Sequence, residues 1–180
     1  MYEVEVKVAA DHATVRERLD ALGARRVRRV VQTDTYYDAP PREFAETDEA
    51  LRVRRETDDD GETTRLTYKG PLVEAESKTR REHETAVADE EALEGILDGL
   101  GFDPAFTVEK ERTFYRYDGY TVTLDDVTDL GEFVEVERDV GEADEVAEVR
   151  EGAMAVLREL GLDPTEQIRT SYLGLLLDTQ

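Results

Sequence analysis

Hydrophobic and polar residues alternate with period two over much of this chain. Successive side chains of an extended backbone point to opposite faces. Tyr2, Val4, Val6 and Val8 therefore form an apolar face, with Glu3, Glu5 and Lys7 on the charged face of the same strand. A second strand runs from Val27 through Val30 and Val31 to Tyr36 and Tyr37, closed by Pro40 and Pro41. Strands over 50–56 and 63–69 flank the acidic turn Asp58-Asp59-Asp60-Gly61 as a hairpin, and another covers 78–87. Three more follow closely, over 106–117, 120–127 and 132–138, with Asp118-Gly119 turning the first into the second.

Between these groups the apolar period lengthens to that of a helix. Asp11 caps a helix that carries Val15, Leu19 and Leu22 and stops at Gly23; Asp89 caps another that carries Leu93, Ile96, Leu97 and Leu100 and stops at Gly101. A long acidic helix spans Glu142 to Leu160, and a short one lies around Tyr172 to Leu177. Hairpin-linked strands with helices between the groups predict an α+β fold with an antiparallel sheet.

Composition narrows this to one domain over 1–180: the length suffices for one core, 39% of residues are hydrophobic, and no cysteine offers a disulfide scaffold. No run approaches the roughly 20 apolar residues of a membrane span, and the chain enters a charged strand at once, so a cytoplasmic protein is expected. A net charge of -22 argues against binding nucleic acid or an anionic membrane surface. Its acidic runs resemble the surfaces of halophilic proteins, where salt screens self-repulsion. Lysine occurs only at positions 7, 69, 78 and 110, so each is worth attention.

Charged faces recur on the other strands. Arg52 and Arg54 share a face, as do Arg65 and Lys69, Lys110 and Arg112, and Glu135 and Glu137; Asp125 lies with Thr121 and Thr123. A solvated sheet would explain any single pair. Taken jointly, the pairs fit a sheet curled into a closed barrel, with apolar faces under outer helices and charged faces turned into a polar lumen. Basic side chains there suit phosphate oxygens, and clustered carboxylates suit Mg²⁺ or Mn²⁺. A nucleotide or polyphosphate bound with metal is the ligand such a lumen predicts.

Glu3-Val4-Glu5-Val6-Lys7, Leu51-Arg52-Val53-Arg54, Tyr68-Lys69-Gly70-Pro71, Glu109-Lys110-Glu111-Arg112 and Phe133-Val134-Glu135-Val136-Glu137 resemble, in order, motifs of the CYTH superfamily. This group includes class IV adenylate cyclases and thiamine triphosphatases within the triphosphate tunnel enzymes; the segments over 100–110 and 130–135 are most similar to the cyclases. The resemblance implies a tunnel of about eight strands. It makes Lys7, Arg52, Arg54, Lys69, Lys110 and Arg112 a triphosphate clamp and Glu3, Glu5, Asp125, Glu135 and Glu137 the metal ligands, with Lys7 and Lys69 gathering charge in the reaction. Three activities follow: a cyclase turning ATP into cyclic AMP and pyrophosphate, a triphosphatase acting on thiamine triphosphate, a nucleotide or tripolyphosphate, and a sensor that binds without turnover. The cyclase branch also implies a homodimer.

Other polar residues are less decisive. Arg65 matches no family position and reads as an exposed or ion-paired arginine. Arg81, Glu82 and Glu84 fall where relatives place tunnel residues, in an open register, and Arg169 either reaches the tunnel mouth or makes a helix-end contact. His12 and His83 lack a partner at metal-ligand spacing. Phe106, Phe114 and Phe133 read as core or rim aromatics; one ring of Tyr36 and Tyr37 packs in the core and the other is open to the tunnel.

Overall fold

A computed structural model describes residues 1–179. Among these residues, eight antiparallel strands close into a barrel, and four α-helices lie against it. In chain order they are β1 (Tyr2–Ala9), α1 (His12–Ala21), β2 (Arg25–Asp38), β3 (Ala50–Asp58), β4 (Gly61–Leu72), β5 (Arg80–Val87), α2 (Glu90–Gly99), β6 (Asp103–Tyr117), β7 (Tyr120–Val127), β8 (Gly131–Val140), α3 (Val146–Glu159) and α4 (Tyr172–Asp178). The strand order around the wall is β1-β5-β4-β3-β2-β6-β7-β8. The expected hairpins all form; the long-range joins are β1 to β5, β2 to β6 and β1 to β8. Among the described residues no helix is long and apolar enough to cross a membrane.

The barrel is turned inside out relative to one with a greasy core. Val4, Val6 and Val8 of β1, Val122 and Leu124 of β7 and Val134 and Val136 of β8 point outward, where Val15 and Leu19 of α1 and Val149, Ala153, Val156 and Leu157 of α3 cover them. Tyr172 and Leu176 of α4 meet Val108, Val127 and Phe133, which share the inward faces of Lys110, Asp125 and Glu135, so α4 closes over one end of the barrel. Leu97 of α2 meets Tyr37 and Val53. Period-two alternation then sends the charged faces inward.

Two details depart from the strand and helix pattern of the sequence. Only Tyr2 and Glu3 of β1 pair with β5; lower down, an irregular segment fills the seam, and the Lys78 amide donates to the Glu5 carbonyl at 3.1 Å. Strand β5 therefore starts at Arg80 rather than Lys78. On α2, Leu93 and Leu97 turn to the barrel while Ile96 and Leu100 are 58% and 63% exposed, because one ten-residue helix lays only part of a wide apolar stripe on a convex wall. His12 is buried and its Nε2 lies 2.9 Å from the Phe133 carbonyl oxygen, a structural contact.

Helix α3 approaches the wall closely at Gly152. The Tyr120 hydroxyl donates to the Val149 carbonyl at 2.9 Å, and a Cβ on Gly152 would lie 1.9 Å from that hydroxyl. Ala raises helix propensity by about 1 kcal/mol, but overpacking a buried ring costs about 1–3 kcal/mol and a displaced hydrogen bond about 1 more. Urea unfolding of Gly152→Ala is expected to show a net loss of stability; a gain would mean that Tyr120 moves aside freely.

Candidate functional site

The register of the wall decides which inward charges meet. Strands β1 and β8 pair Lys7 with Glu135, Glu5 with Glu137 and Glu3 with Asp139; β6 and β7 pair Arg112 with Asp125. Strands β2 and β3 pair Asp34 with Arg54, and β4 and β5 pair Lys69 with Glu82 and Thr67 with Glu84. Acids and bases thus line the lumen as neighbours as well as across it.

Most of these groups hold one another. Arg54 donates to both oxygens of Asp34, from Nε at 2.6 Å and Nη2 at 2.7 Å. Arg112 does the same to Asp125, at 2.6 and 2.5 Å, and also donates to Glu135. Lys69 donates to Glu3 at 2.8 Å and pairs with Glu82, and Lys78 donates to Glu5 at 3.0 Å. Such bidentate and charge-assisted bonds are what make buried ions tolerable. Arg52 is looser: it donates to Thr67 Oγ1 at 3.1 Å, stands 3.8 Å from Asp34 and 3.7 Å from Glu84, and its buried Nε has no hydrogen-bond partner among the described residues. That donor is available to a ligand.

Three carboxylates also converge, two of them held by lysines and the third, Glu137, without an ion pair among the described residues. Glu3, Glu5 and Glu137 each offer an oxygen within 4.8 Å of the others. Burial, with Glu3 alongside, pushes Glu137 up to about 8. Burial would raise Glu3 as well, but Lys69 and a hydrogen bond from Glu82 hold it well below the usual carboxylate range. Glu82 rises to about 8 through burial, against the pull of Lys69 and with the push of Glu3. A hard divalent cation fits this donor set: three oxygen ligands at one point, one of them keeping a proton that a cation would displace.

Nine of the residues singled out in the sequence line one cavity of about 880 Å³: Glu3, Glu5, Arg52, Arg54, Lys69, Lys110, Arg112, Glu135 and Glu137. The other two, Lys7 and Asp125, lie behind Tyr172. The Lys7 Nζ donates to the Thr170 carbonyl at 2.7 Å and stands 4.2 Å from the centre of the Tyr172 ring, which Lys110 approaches to 4.9 Å. The Tyr172 hydroxyl donates to Asp125 at 2.8 Å. Burial, reinforced by Lys78, lowers Lys7 to about 7; burial, reinforced by Arg112, lowers Lys110 to about 8. The structure thus gathers Glu3, Glu5 and Glu137 and holds Asp125 and Glu135 on Arg112.

Several lining residues were not singled out. Gln32, Asp34 and Glu56 lie on inward faces of β2 and β3, and period two in Gln32-Thr33-Asp34-Thr35-Tyr36 carries that signal. Lys78 comes from the irregular segment, where no period applies; only its rarity marks it. The open register of Glu82 and Glu84 resolves inward, Arg169 lines the mouth, and Arg65 lines the cavity half-exposed with a 2.8 Å bond to Glu84.

The cavity has an uneven lining. At the end where β2 finishes and β3 and β6 begin, Tyr36, Tyr37, Leu51 and Phe106 are joined by Phe44 from the 39–49 loop and by Leu173 and Leu177 of α4. That mouth carries an aromatic and aliphatic cluster beside Asp38, Asp48, Glu49 and Arg169, whereas the interior lining is mostly charged.

Comparison with known proteins agrees with this architecture. The CYTH domain model matches residues 1–172. The chain is 39% identical over 176 residues to a Methanocaldococcus jannaschii protein named "Putative adenylate cyclase", covering 97% of this chain and 98% of that one. A solved Pyrococcus horikoshii structure superposes with a TM-score of 0.92 at 39% identity, over 99% of each chain. The fold extends to a Hippeastrum protein, described as a "putative adenylyl cyclase" with a dominant triphosphatase activity, at a TM-score of 0.69 and 18% identity over 99% of this chain and 96% of that one. The match over nearly the whole length, on a closed barrel whose lumen carries the motif residues, means that the chain belongs to the CYTH domain family.

Proposed function

We propose that this chain is a cation-dependent enzyme that binds ATP in its barrel and converts it to 3',5'-cyclic AMP and pyrophosphate. The observation that carries the reading is the uneven cavity: a charged interior with phosphate donors and converging carboxylates opens into a mouth that holds a cluster of Tyr36, Phe44, Phe106, Leu173 and Leu177. An inorganic polyphosphate has no use for that mouth, but the organic end of a nucleotide does. The name of the Methanocaldococcus jannaschii relative points the same way.

The chain's part in such a reaction is orientation and charge. Arg52, Arg54, Lys69, Lys110 and Arg112 converge on the interior from three strands, so one phosphate chain would meet donors on several sides and be fixed before reaction. Burial would lower Lys69, but Glu3 and Glu82 raise it far above its ordinary range. It stays a cation at any working pH and is suited to offset negative charge that grows on phosphate oxygens. Lys7 and Lys78 support the site from the wall, on Thr170 and Glu5. A divalent cation on Glu3, Glu5 and Glu137 would supply Lewis-acid polarisation of the phosphate oxygens. Cyclisation bonds the ribose 3'-oxygen to the α-phosphorus with loss of the hydroxyl proton, and the bond to the departing pyrophosphate breaks.

The same clamp serves hydrolysis of the terminal phosphate, and the Hippeastrum protein with its dominant triphosphatase activity supports this second reading. Products separate the two. With Mg²⁺ or Mn²⁺ and ATP, the cyclase reading expects cyclic AMP and pyrophosphate; orthophosphate and ADP would transfer the proposal to the triphosphatase, and binding without either product to a sensor. Glu5→Gln and Lys69→Ala are each expected to lower turnover by at least about 100-fold with circular dichroism unchanged. Full activity in either would sink the site assignment.

The proton on Glu137 gives a pH test. Below about 8 this carboxyl is protonated and a cation must displace its proton; above 8 it is already ionised. Calorimetric Mn²⁺ affinity is therefore expected to rise by up to about tenfold per pH unit from pH 6 toward 8 and then level off, and Glu137→Gln is expected to flatten that slope. A pH-independent affinity in the unaltered protein would contradict the trio.

A further inference from the structure

The barrel has a second opening, at the end opposite the mouth with the apolar cluster. Strand β2 runs from Arg25 toward Tyr37, and β6 runs from Phe106 toward Arg116, so Arg28 and Arg116 lie at the far end from the aromatic residues. A cavity of about 450 Å³ occupies this end, with Arg28, Arg116 and Arg138 among its lining. Arg28, Phe114, Glu137 and Asp139 border both this cavity and the large one. The two spaces therefore meet beside Glu137, one of the three converging carboxylates.

Arginines and carboxylates share this rim, Arg28, Arg116 and Arg138 with Glu137 and Asp139, but not every arginine has a partner. Acids outnumber Lys and Arg by 45 to 23, and Arg28 of this rim is paired with Glu56 and Asp58. Arg25, Arg116 and Arg138 make no ion pair among the described residues. Arg25 stands directly opposite Arg116 across β2 and β6, a like-charge cross-strand pair that is unfavourable by itself. Arg138 lies over the Tyr120 ring at 5.7 Å, beside Gly119 in the β6–β7 turn. A small anion between such guanidinium groups would gain charge-assisted bonds and relieve their repulsion.

We propose that this second mouth is an inorganic-phosphate site through which the phosphate fragment released from the triphosphate leaves the barrel. The direction of travel rests on the function proposed above; the anion site does not. With the organic end held at the mouth with the apolar cluster, the phosphate chain runs inward past Arg52, Arg54 and Lys69 toward Glu137. Cleavage on either side of the chain frees an inorganic anion whose way back is filled by the organic product. The way forward leads to Arg116 and Arg138.

Calorimetric titration of pyrophosphate, and separately of orthophosphate, into the full chain in cation-free buffer tests the site without turnover. At least one anion is expected to bind, and Arg116→Ala/Arg138→Ala is expected to weaken it by about tenfold or more, since the charge-assisted bonds of both guanidinium groups are lost. Both side chains are exposed, and Arg116→Lys/Arg138→Lys, which keeps the charge, is expected to retain most of the binding and guards against loss by misfolding. Binding of neither anion, or equal binding in the Ala variant, would overturn the proposal. A protein that loses pyrophosphate binding in the variant but turns over no triphosphate keeps the anion site and loses the proposed function; normal turnover with unchanged binding does the reverse.

Discussion

Charges placed inside a barrel must be matched there, and the rest of this structure depends on that requirement. An unpaired buried ion costs several kcal/mol even after relaxation. Here Arg54 is held by Asp34, Arg112 by Asp125 and Glu135, Lys69 by Glu3 and Glu82, and Lys78 by Glu5. The apolar faces are left to point outward, which is why the helices lie outside and why valines dominate their contact with the wall. Strand register is fixed twice over, since a one-residue slip would bury the charges under helices and turn the valines into the lumen.

The same balance constrains what can bind. A triphosphate entering a lumen whose bases already have carboxylate partners would leave those carboxylates uncompensated unless positive charge came with it. Glu137, beside Glu3 and Glu5, is where the lumen has acid to spare, and Arg52 is where it has a donor to spare. An apolar cluster at one mouth and arginines at the other make the two ends of the passage unlike; under the two proposals above, the organic end would face the first and inorganic phosphate the second.

Much of this was legible from period two alone. Glu3 and Glu5, Arg52 and Arg54, Lys110 and Arg112, and Glu135 and Glu137 all face the lumen, because a strand paired on both sides and covered on one face leaves its side chains no other choice. What the period cannot supply is which residues touch, since that follows from register across strands distant in sequence. Lys7 and Asp125 face the right way, yet lie behind Tyr172, because the C-terminal segment returns over that end of the barrel through the Thr170 and Tyr172 contacts. Lys78 escapes the period through its irregular segment, and Asp34 was masked by the tyrosines that follow it. The expected apolar stripe of α2 is only half used, for curvature of the wall is not written in a helix's own sequence.

The central claim is that one cation and one phosphate chain share this lumen. The most direct test is a crystal structure with Mn²⁺ and a non-hydrolysable ATP analogue, with manganese located by its anomalous scattering. The account predicts a manganese peak bounded by Glu3, Glu5 and Glu137, with phosphates on Arg52, Arg54 and Lys69 and the base at the mouth near Tyr36 and Phe106. Manganese bound away from the trio, or phosphates lying outside the barrel, would contradict it.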